Sequence, residues 1–134
     1  MNVLITGASK GIGCELTKQF AQKANANIIA LARDYDQLKT LQDFCKHTYN
    51  KQIHIYSIDL SQLGFELQLN KILEEHHHID IVINNAGFLA HLPFEKTAIQ
   101  TIQQTFQVNV FAPMLLLQAV FAHVDATKKC HVVN

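Results

Sequence analysis

The chain has 134 residues, enough for one domain with a sizeable apolar core, and we assign residues 1–134 to a single domain. Eleven basic and eleven acidic residues give a formal net charge of zero, so the composition predicts neither a nucleic acid nor an anionic membrane as partner. A small charged ligand suits this balance better.

Five short apolar runs predict β-strands, because each has the length of one strand and is rich in β-branched residues. They lie at residues 3–5, 28–32, 53–58, 79–83 and 131–133. Helical patterns alternate with them: Ile12, Leu16 and Phe20; Leu38, Leu41 and Cys45; Leu69, Ile72 and Leu73; and a longer one over residues 97–123. The alternation predicts an α/β fold, a doubly wound parallel sheet with helices on both faces and strands buried on both sides.

A glycine-rich turn joins the first strand to the first helix. Glycine permits a positive φ and a close approach by a ligand, and the free N–H groups of the following helix favour an anion. The turn is therefore predicted to hold a phosphate. Its candidate residues are Gly7, Ser9, Lys10, Gly11, Ile12 and Gly13.

Four short motifs stand in the order that one known family uses. They are the Thr-Gly-x-x-x-Gly-x-Gly turn of residues 6–13, Asp59-Leu60 and Asn84-Asn85-Ala86-Gly87 after the third and fourth strands, and Val108-Asn109-Val110 in the long helix. On these motifs the chain resembles the compact, single-domain branch of the short-chain dehydrogenase/reductase family. The resemblance implies a Rossmann-like sheet with strand order 3-2-1-4-5 and a nicotinamide cofactor. The chain has about half the usual length of that family.

The end of the second strand predicts which cofactor is preferred. Family members that use NAD(H) usually carry an acid there, whereas this chain has Ala32 and Arg33. Arg33 can form charge-assisted hydrogen bonds to a 2′-phosphate, and Lys10 can approach the same group. NADP(H) is therefore preferred over NAD(H), although both cations could be solvated surface charges. Asp34 is interpreted as a helix cap.

The resemblance also implies roles for residues after the third and fourth strands. Asp59 would accept a hydrogen bond from the adenine amino group, with Leu60 beside the ring; alternatively, Asp59 only closes a turn. Asn85, Ala86 and Gly87 would lie along the adenosine ribose and form the floor beneath the cofactor. Their alternative is a turn that contacts no ligand.

Asn109 corresponds to the asparagine of the family's catalytic tetrad. Pro113 has no N–H, so it leaves the Asn109 carbonyl without its usual helical partner and should kink the helix. The family uses this carbonyl to hold a water molecule in a proton relay to the catalytic lysine. A kink that only improves packing is the alternative.

The family's serine and Tyr-x-x-x-Lys pair have no counterparts where they are expected. No serine follows Ser61 and no tyrosine follows Tyr56. Tyr35 and Lys39 have the right spacing, but we interpret this as coincidence because they follow the second strand, near the adenine end. The chain is therefore expected to carry the cofactor-binding half and not to turn over substrate alone.

Two functions remain open at this point. One is the cofactor-binding half of an NADPH-dependent reductase of a carbonyl, or dehydrogenase of an alcohol, most like the small carbonyl reductases, with an apolar substrate bordered by residues 88–95. The other is an inactive nucleotide-binding or interaction protein of the same fold. The helix over residues 97–123 is apolar nearly all round, and by family resemblance it predicts a homodimer.

Other features predict location and exclude further ligands. Cys14, Cys45 and Cys130 fit reduced thiols in the cytoplasm, and the first strand begins too early to leave room for a signal peptide. No apolar stretch is expected to approach the roughly 20 residues of a membrane span. The three histidines of residues 76–78 are interpreted as a solvated helix end, and no metal is assigned.

Overall fold

The predicted alternation of strand and helix is present in the computed structural model, which describes residues 1–124 and 127–134. The elements are β1 (Asn2–Thr6), α1 (Gly11–Ala21), β2 (Asn27–Ala32), α2 (Tyr35–Tyr49), β3 (His54–Ser57), α3 (Phe65–His76), β4 (Ile81–Ile83), α4 (Ile99–Phe106), α5 (Ala112–His123) and β5 (His131–Val133). A short 3₁₀ turn, Phe94–Lys96, precedes α4, and a π-helical segment, Gln107–Phe111, joins α4 to α5.

The five strands form one parallel sheet in the order β3-β2-β1-β4-β5, which confirms the predicted fold class and strand order. Alternate residues of β1 point into two separate cores. Leu4 belongs to the core that α3 and α5 cover. Val3 and Ile5 belong to the core that α1 and α2 cover. The sheet is therefore covered on both faces, and its carboxyl ends form one edge for a ligand.

The prediction that every strand is buried on both faces is wrong for β3 and β5. All four residues of β3 are at least partly exposed, and all three residues of β5 are exposed. These two strands are the sheet edges in the described structure, so each lacks a neighbour on one side. Composition cannot distinguish an edge strand from a central one when both are apolar.

Leu16 and Phe20 of the stripe predicted for helix α1 are half-buried against the core, but a neighbouring stripe of the helix is buried more deeply. Its buried residues are Gly13, Thr17 and Ala21, whereas Ile12 is 73% exposed. The Thr17 hydroxyl donates to the Gly13 carbonyl oxygen at 2.8 Å, so it is satisfied within the helix. Small side chains allow α1 to approach the sheet closely, which brings its first turn against the end of β1.

The run from α4 to α5 corrects the expectation about membrane spans. Among the described residues, Ile99–His123 is one helical run of 25 residues that contains an 18-residue window with a mean hydropathy of 1.5, so it is long and apolar enough to cross a bilayer. This is a weak indication, because core helices of water-soluble proteins meet the same criterion. Leu116 and Val120 on the inner face of α5 are fully buried in the core with α3.

The histidines at the end of α3 are not all solvated, contrary to the prediction. His76 is buried and its ring packs edge-on against His54 of β3, with 4.7 Å between centroids. The Tyr56 hydroxyl lies 2.9 Å from His76 Nε2 and donates to Glu75 at 2.6 Å. The exposed edge strand thus covers the helix end. No group of three or more metal-ligating side chains occurs in residues 1–124 and 127–134.

Candidate functional site: a nucleotide cleft at the carboxyl edge

The glycine turn after β1 has the geometry that its sequence predicts. Gly7 and Gly11 have positive φ angles of 65° and 58°. A Cβ on Gly7 would lie 2.9 Å from the Ala86 Cα, and a Cβ on Gly13 would overlap the Gly7 carbonyl oxygen. A Cβ on Gly11 would meet nothing within 4 Å, so this glycine faces open space. The turn is therefore tightly packed at Gly7 and Gly13, while the backbone at Gly11 is open to a ligand.

A hydrogen-bond network that the sequence did not predict fixes this turn to the end of β4. The buried Thr6 hydroxyl accepts from the N–H groups of Asn85 and Ala86 at 3.0 and 2.9 Å and lies 3.3 Å from the Ile83 carbonyl oxygen, to which it donates. The Asn85 side-chain amide donates to the carbonyl oxygens of Thr6 and Gly7 at 3.0 and 3.3 Å. The only sequence signal was a hydroxyl at the end of an otherwise apolar strand.

These elements border one cleft of about 400 Å³ along the carboxyl ends of β2, β1 and β4. Of the twelve predicted cofactor residues, all but Gly13 line it. Gly13 lies beneath the turn and allows it to pack. Phe88, from the loop predicted to border the substrate, also lines the cleft. The cleft has further wall residues that sequence reasoning did not single out as ligand contacts: Leu31, Ala32, Asp34, Gln37, Ile58, Ser61 and Val108.

The cleft contains both cations of the predicted phosphate site, Lys10 on the glycine turn and Arg33 after β2. Lys10 and Arg33 are exposed, and within the described residues neither cation lies within 4.0 Å of a carboxylate oxygen. Asp34 Oδ1 accepts from the Gln37 backbone N–H at 3.0 Å, which confirms Asp34 as the N-cap of α2. The two cations are thus available to an anion in the cleft.

Asp59 closes a turn, as one of its two sequence interpretations predicts, while its contact with adenine stays a prediction. Its Oδ1 accepts from the Ser61 N–H at 2.9 Å and from the Ser61 hydroxyl at 2.7 Å, so it closes a turn, and it also lines the cleft. Burial alone would raise the pKa of Asp59, but the Ser61 hydrogen bonds and the charge of Arg33 outweigh it and lower the pKa. The side chain is therefore a carboxylate acceptor at neutral pH.

Asn109 lies next to the cleft and does not line it. Its Oδ1 accepts from the Phe88 N–H and its Nδ2 donates to the Phe88 carbonyl oxygen, both at 2.8 Å. This amide pair fixes the backbone after β4 to the π-helical segment, which Pro113 follows at the start of α5. A second hollow, lined by Asn109, Pro113 and Met114, begins there and shares Phe88 with the cleft.

The loop after β4 carries apolar side chains that the protein leaves exposed. Leu89 is 70% exposed, and Leu92 and Phe94 are also exposed.

Tyr35 and Lys39, the coincidental Tyr-x-x-x-Lys match, lie on α2, and Lys39 pairs with Asp43 at 3.0 Å. Neither residue lines the cleft.

The residues of the cleft fit a dinucleotide phosphate. The bare face of Gly11, the first turn of α1 and two free cations form a donor set for anions, and Ile58 and Leu60 offer an apolar wall for a base. Gly7 and Gly11 carry no side chains at the turn, where a pyrophosphate requires close approach to the backbone.

Comparison with known proteins agrees with this geometry. A family profile described as short chain dehydrogenase matches residues 1–134. L-xylulose reductase from Caenorhabditis elegans is 36% identical over 133 residues, covering 98% of this chain and 51% of that protein. The chain spans about half the length of the curated relatives it matches.

Solved structures share the fold over the same region. A bulky-bulky ketone specific alcohol dehydrogenase from Comamonas testosteroni superposes with a TM-score of 0.82 at 32% identity, over 90% of this chain and 48% of that one. A metagenomic short-chain oxidoreductase in complex with NADP superposes with a TM-score of 0.88 at 25% identity, over 98% of this chain and 60% of that one.

Proposed function

Because this chain belongs to the short-chain dehydrogenase/reductase family, we propose that it binds NADP(H) in preference to NAD(H) and forms the cofactor-binding part of a carbonyl reductase. Support for the reaction class comes from the relatives, which include a reductase of L-xylulose and a ketone-specific alcohol dehydrogenase. The inactive nucleotide-binding alternative is not favoured by any of these relatives.

One observation carries the cofactor preference: the charge at the end of β2. The strand ends on Ala32, so no carboxylate stands at the place where an acid would accept the ribose hydroxyls of NAD(H). The next residue, Arg33, lines the same cleft as Lys10. An arginine fork and an ammonium favour a 2′-phosphate over a hydroxyl, since charge-assisted hydrogen bonds are about twice as strong as neutral ones.

The positions of the other parts of the cofactor follow from this placement of the 2′-phosphate. We place the pyrophosphate on the glycine turn, where the N–H groups and the dipole of α1 favour negative charge. Asp59 would accept a hydrogen bond from the adenine amino group with a lone pair that the Ser61 hydrogen bonds leave unused. Leu60 would pack beside the ring. Asn85, Ala86 and Gly87 would lie under the adenosine ribose, held there by the Thr6 hydroxyl.

When bound, the nicotinamide supplies or accepts the hydride of the reaction. The chain's own contribution near that end is positional: Asn109 holds the Phe88 backbone, and Pro113 offers no N–H to the Asn109 carbonyl oxygen. We propose that this carbonyl orients a water molecule for proton transfer. No serine or tyrosine within these residues stands where it could protonate a substrate oxygen, so binding without turnover is expected of them alone.

Calorimetric titration of the 134-residue chain with NADPH and NADH tests the proposal. NADPH should bind more tightly, and Arg33→Ala should weaken NADPH binding about 10- to 100-fold while leaving NADH within about twofold. Lys46→Ala, on the exposed last turn of α2, is the matched control for loss of one positive charge. Equal binding of both cofactors by the unmodified chain would overturn the preference.

A parallel assay addresses catalysis. NADPH oxidation should be absent with a panel of aldehydes, ketones and ketoses. Turnover of any of them would show that the assignment of the catalytic groups is wrong. The apolar loop after β4 leads us to propose an apolar carbonyl substrate for the whole enzyme, because Leu89, Leu92 and Phe94 are exposed and Leu89 lines the second hollow.

We also propose a homodimer in the cytoplasm. The outer side of the run from α4 to α5 exposes large apolar side chains, which a second copy would cover: Phe106, Val110, Phe111, Met114 and Phe121. We call these five residues the outer face. Free thiols at all three cysteines support a reducing compartment.

A further inference from the structure

Gln37 is a wall residue of the cleft that neither the glycine turn nor the strand ends account for. We propose that Gln37 is a specificity-determining residue whose side-chain amide donates to the 2′-phosphate of NADP(H), as a third donor beside Arg33 and Lys10. The inference rests on the proposed function and names a further contact within the same site.

The position of Gln37 is fixed by the cap of α2. Its backbone N–H donates to Asp34 Oδ1 at 3.0 Å, so the first turn of the helix is fixed to the end of β2. Gln37 is exposed and lines the cleft together with Arg33 and Asp34, which precede it by four and three residues. A phosphate bound to the Arg33 guanidinium would therefore lie beside the first turn of α2, within the surroundings of the Gln37 amide.

The amide is free to donate. Within residues 1–124 and 127–134, the Gln37 side chain makes no hydrogen bond to another protein group, whereas Gln42 on the same helix donates to the Ile53 carbonyl oxygen at 2.8 Å. A glutamine amide offers two N–H donors and one carbonyl acceptor. A side chain with unused donors on the wall of an anion site is suited to bind that anion.

The balance of charges around the cleft shows why a neutral hydrogen-bond donor matters for selectivity. Lys10 and Arg33 contribute two positive charges, and Asp34 and Asp59 contribute two negative charges, so the formal sum is zero. Arg33 also interacts with Asp59, whose pKa it helps to lower. Long-range attraction for a phosphate is accordingly small, and selectivity must come from short-range donors placed at the phosphate itself.

The test uses fragments of the cofactor that differ only at the 2′ position. Adenosine 2′,5′-bisphosphate and adenosine 5′-monophosphate are titrated into the 134-residue chain by calorimetry. Gln37→Glu keeps the shape of the side chain, replaces its donors by an acceptor and adds a negative charge. We expect it to weaken bisphosphate binding at least about tenfold and to change monophosphate binding less than about twofold.

Two further variants make the result specific. Gln19→Glu adds the same charge on α1 outside the cleft and should leave both affinities unchanged. Gln37→Arg should tighten bisphosphate binding, because a guanidinium fork replaces one amide. A glutamate in the first turn suits the dipole of α2, so weaker binding by Gln37→Glu would not report a lost helix.

The outcomes separate this inference from the function on which it rests. If Arg33→Ala removes the preference for the bisphosphate and Gln37→Glu does not, Gln37 is only a surface residue and the inference is wrong. Equal weakening by Gln37→Glu and Gln19→Glu would also overturn it. If the unmodified chain does not distinguish the two nucleotides, the proposed cofactor preference and the inference both fail.

Discussion

Two regions along the carboxyl edge of the sheet differ in how completely the protein satisfies its own groups. Between β1 and β4, the Thr6 hydroxyl and the Asn85 amide form hydrogen bonds with backbone groups about 80 residues away in sequence. Around β5 and the outer face, apolar side chains lie open: Val133 is 51% and Met114 is 63% exposed. The first region is held together by long-range hydrogen bonds, and the second is an exposed apolar surface for which we proposed a second copy of the chain as partner.

The contrast explains which properties the chain should have by itself. The proposed binding of the adenosine and pyrophosphate parts would depend on β1, β2, β3 and the turn that Thr6 and Asn85 hold together, all of which this chain contains. Solubility and assembly depend on the outer face and on the open edge of β5. Changes to the first region should therefore affect folding and cofactor binding together, whereas changes to the second should affect self-association alone.

Gly13→Ala should break the first region, and we expect it to have the largest effect. The added Cβ would overlap the Gly7 carbonyl oxygen and the Asn85 amide nitrogen, so the turn and the end of β4 would have to separate. Overpacking against backbone should lower the free energy of unfolding by at least about 3 kcal/mol. Urea unfolding followed by circular dichroism measures this, and NADPH affinity should fall with it.

Gly64→Ala is the control for this substitution. Gly64 has a φ of 84° and no atom within 4 Å of an added Cβ, and it lies at the start of α3 outside the cleft. Its substitution should cost only the strain of a left-handed residue, about 1 to 2 kcal/mol, with NADPH affinity unchanged. If Gly13→Ala lowered the free energy of unfolding no more than Gly64→Ala, the inference that the turn is tightly packed at Gly13 would be wrong.

The first region was also the more predictable one from sequence. Glycines and short polar residues at strand ends mark a ligand site directly, and the strand order follows from the family motifs. The long-range bonds of Thr6 and Asn85 could not be predicted, because neither residue type nor spacing indicates which carbonyl a hydroxyl or amide will meet. Gln37 was missed for a similar reason: a glutamine in a helical pattern is ordinary until the fold places it on a cleft wall.

Periodicity was less informative about packing faces. In α1, both Ile12-Leu16-Phe20 and Gly13-Thr17-Ala21 repeat every four residues, and hydrophobicity favours the first stripe. The second stripe is fully buried, because the end of β1 leaves room only for small side chains, whereas Leu16 and Phe20 of the first stripe pack half-buried beside it. The edge strands β3 and β5 show a related limit, since an apolar run reports a strand and not whether it has one neighbour or two.

Polar substitutions on the outer face should weaken self-association, and we expect this effect to be smaller than that of Gly13→Ala. The unmodified chain should be a dimer or larger by light scattering, and Met114→Gln with Phe121→Gln should shift it to monomer. Removing two exposed apolar contacts of this size should weaken association about 100-fold. Unfolding free energy and NADPH affinity should remain unchanged, because neither side chain lines the cleft.

Leu67→Gln is the matched control for the outer face. Leu67 is 73% exposed on α3, away from the run of α4 and α5, so its substitution should leave the dimer intact. A monodisperse monomer of the unmodified chain would contradict the proposed dimer. Equal loss of association in Leu67→Gln would show that exposure in general, and not the outer face, drives it.

The smallest expected effect concerns the exposed edge that covers His76. Burial first, and then the nearby charges of His54 and His77, lower the pKa of His76 below its ordinary value of 6.5, while Glu75 opposes the shift. The unfolded chain therefore binds a proton at a higher pH than the folded protein. This group stabilises the fold fully above pH 6.5, and that contribution is lost as the pH falls from 6.5 through the folded pKa.

Unfolding in urea between about pH 7.5 and pH 5 measures this contribution. The stability of the unmodified chain should fall more steeply with acid than that of His76→Gln, in which the amide can still hydrogen-bond Tyr56 but cannot titrate. His47→Gln, on the exposed last turn of α2, should follow the unmodified chain. Parallel pH profiles for His76→Gln and the unmodified chain would mean that the buried ring opens to water before the fold does, so that β3 covers it only loosely.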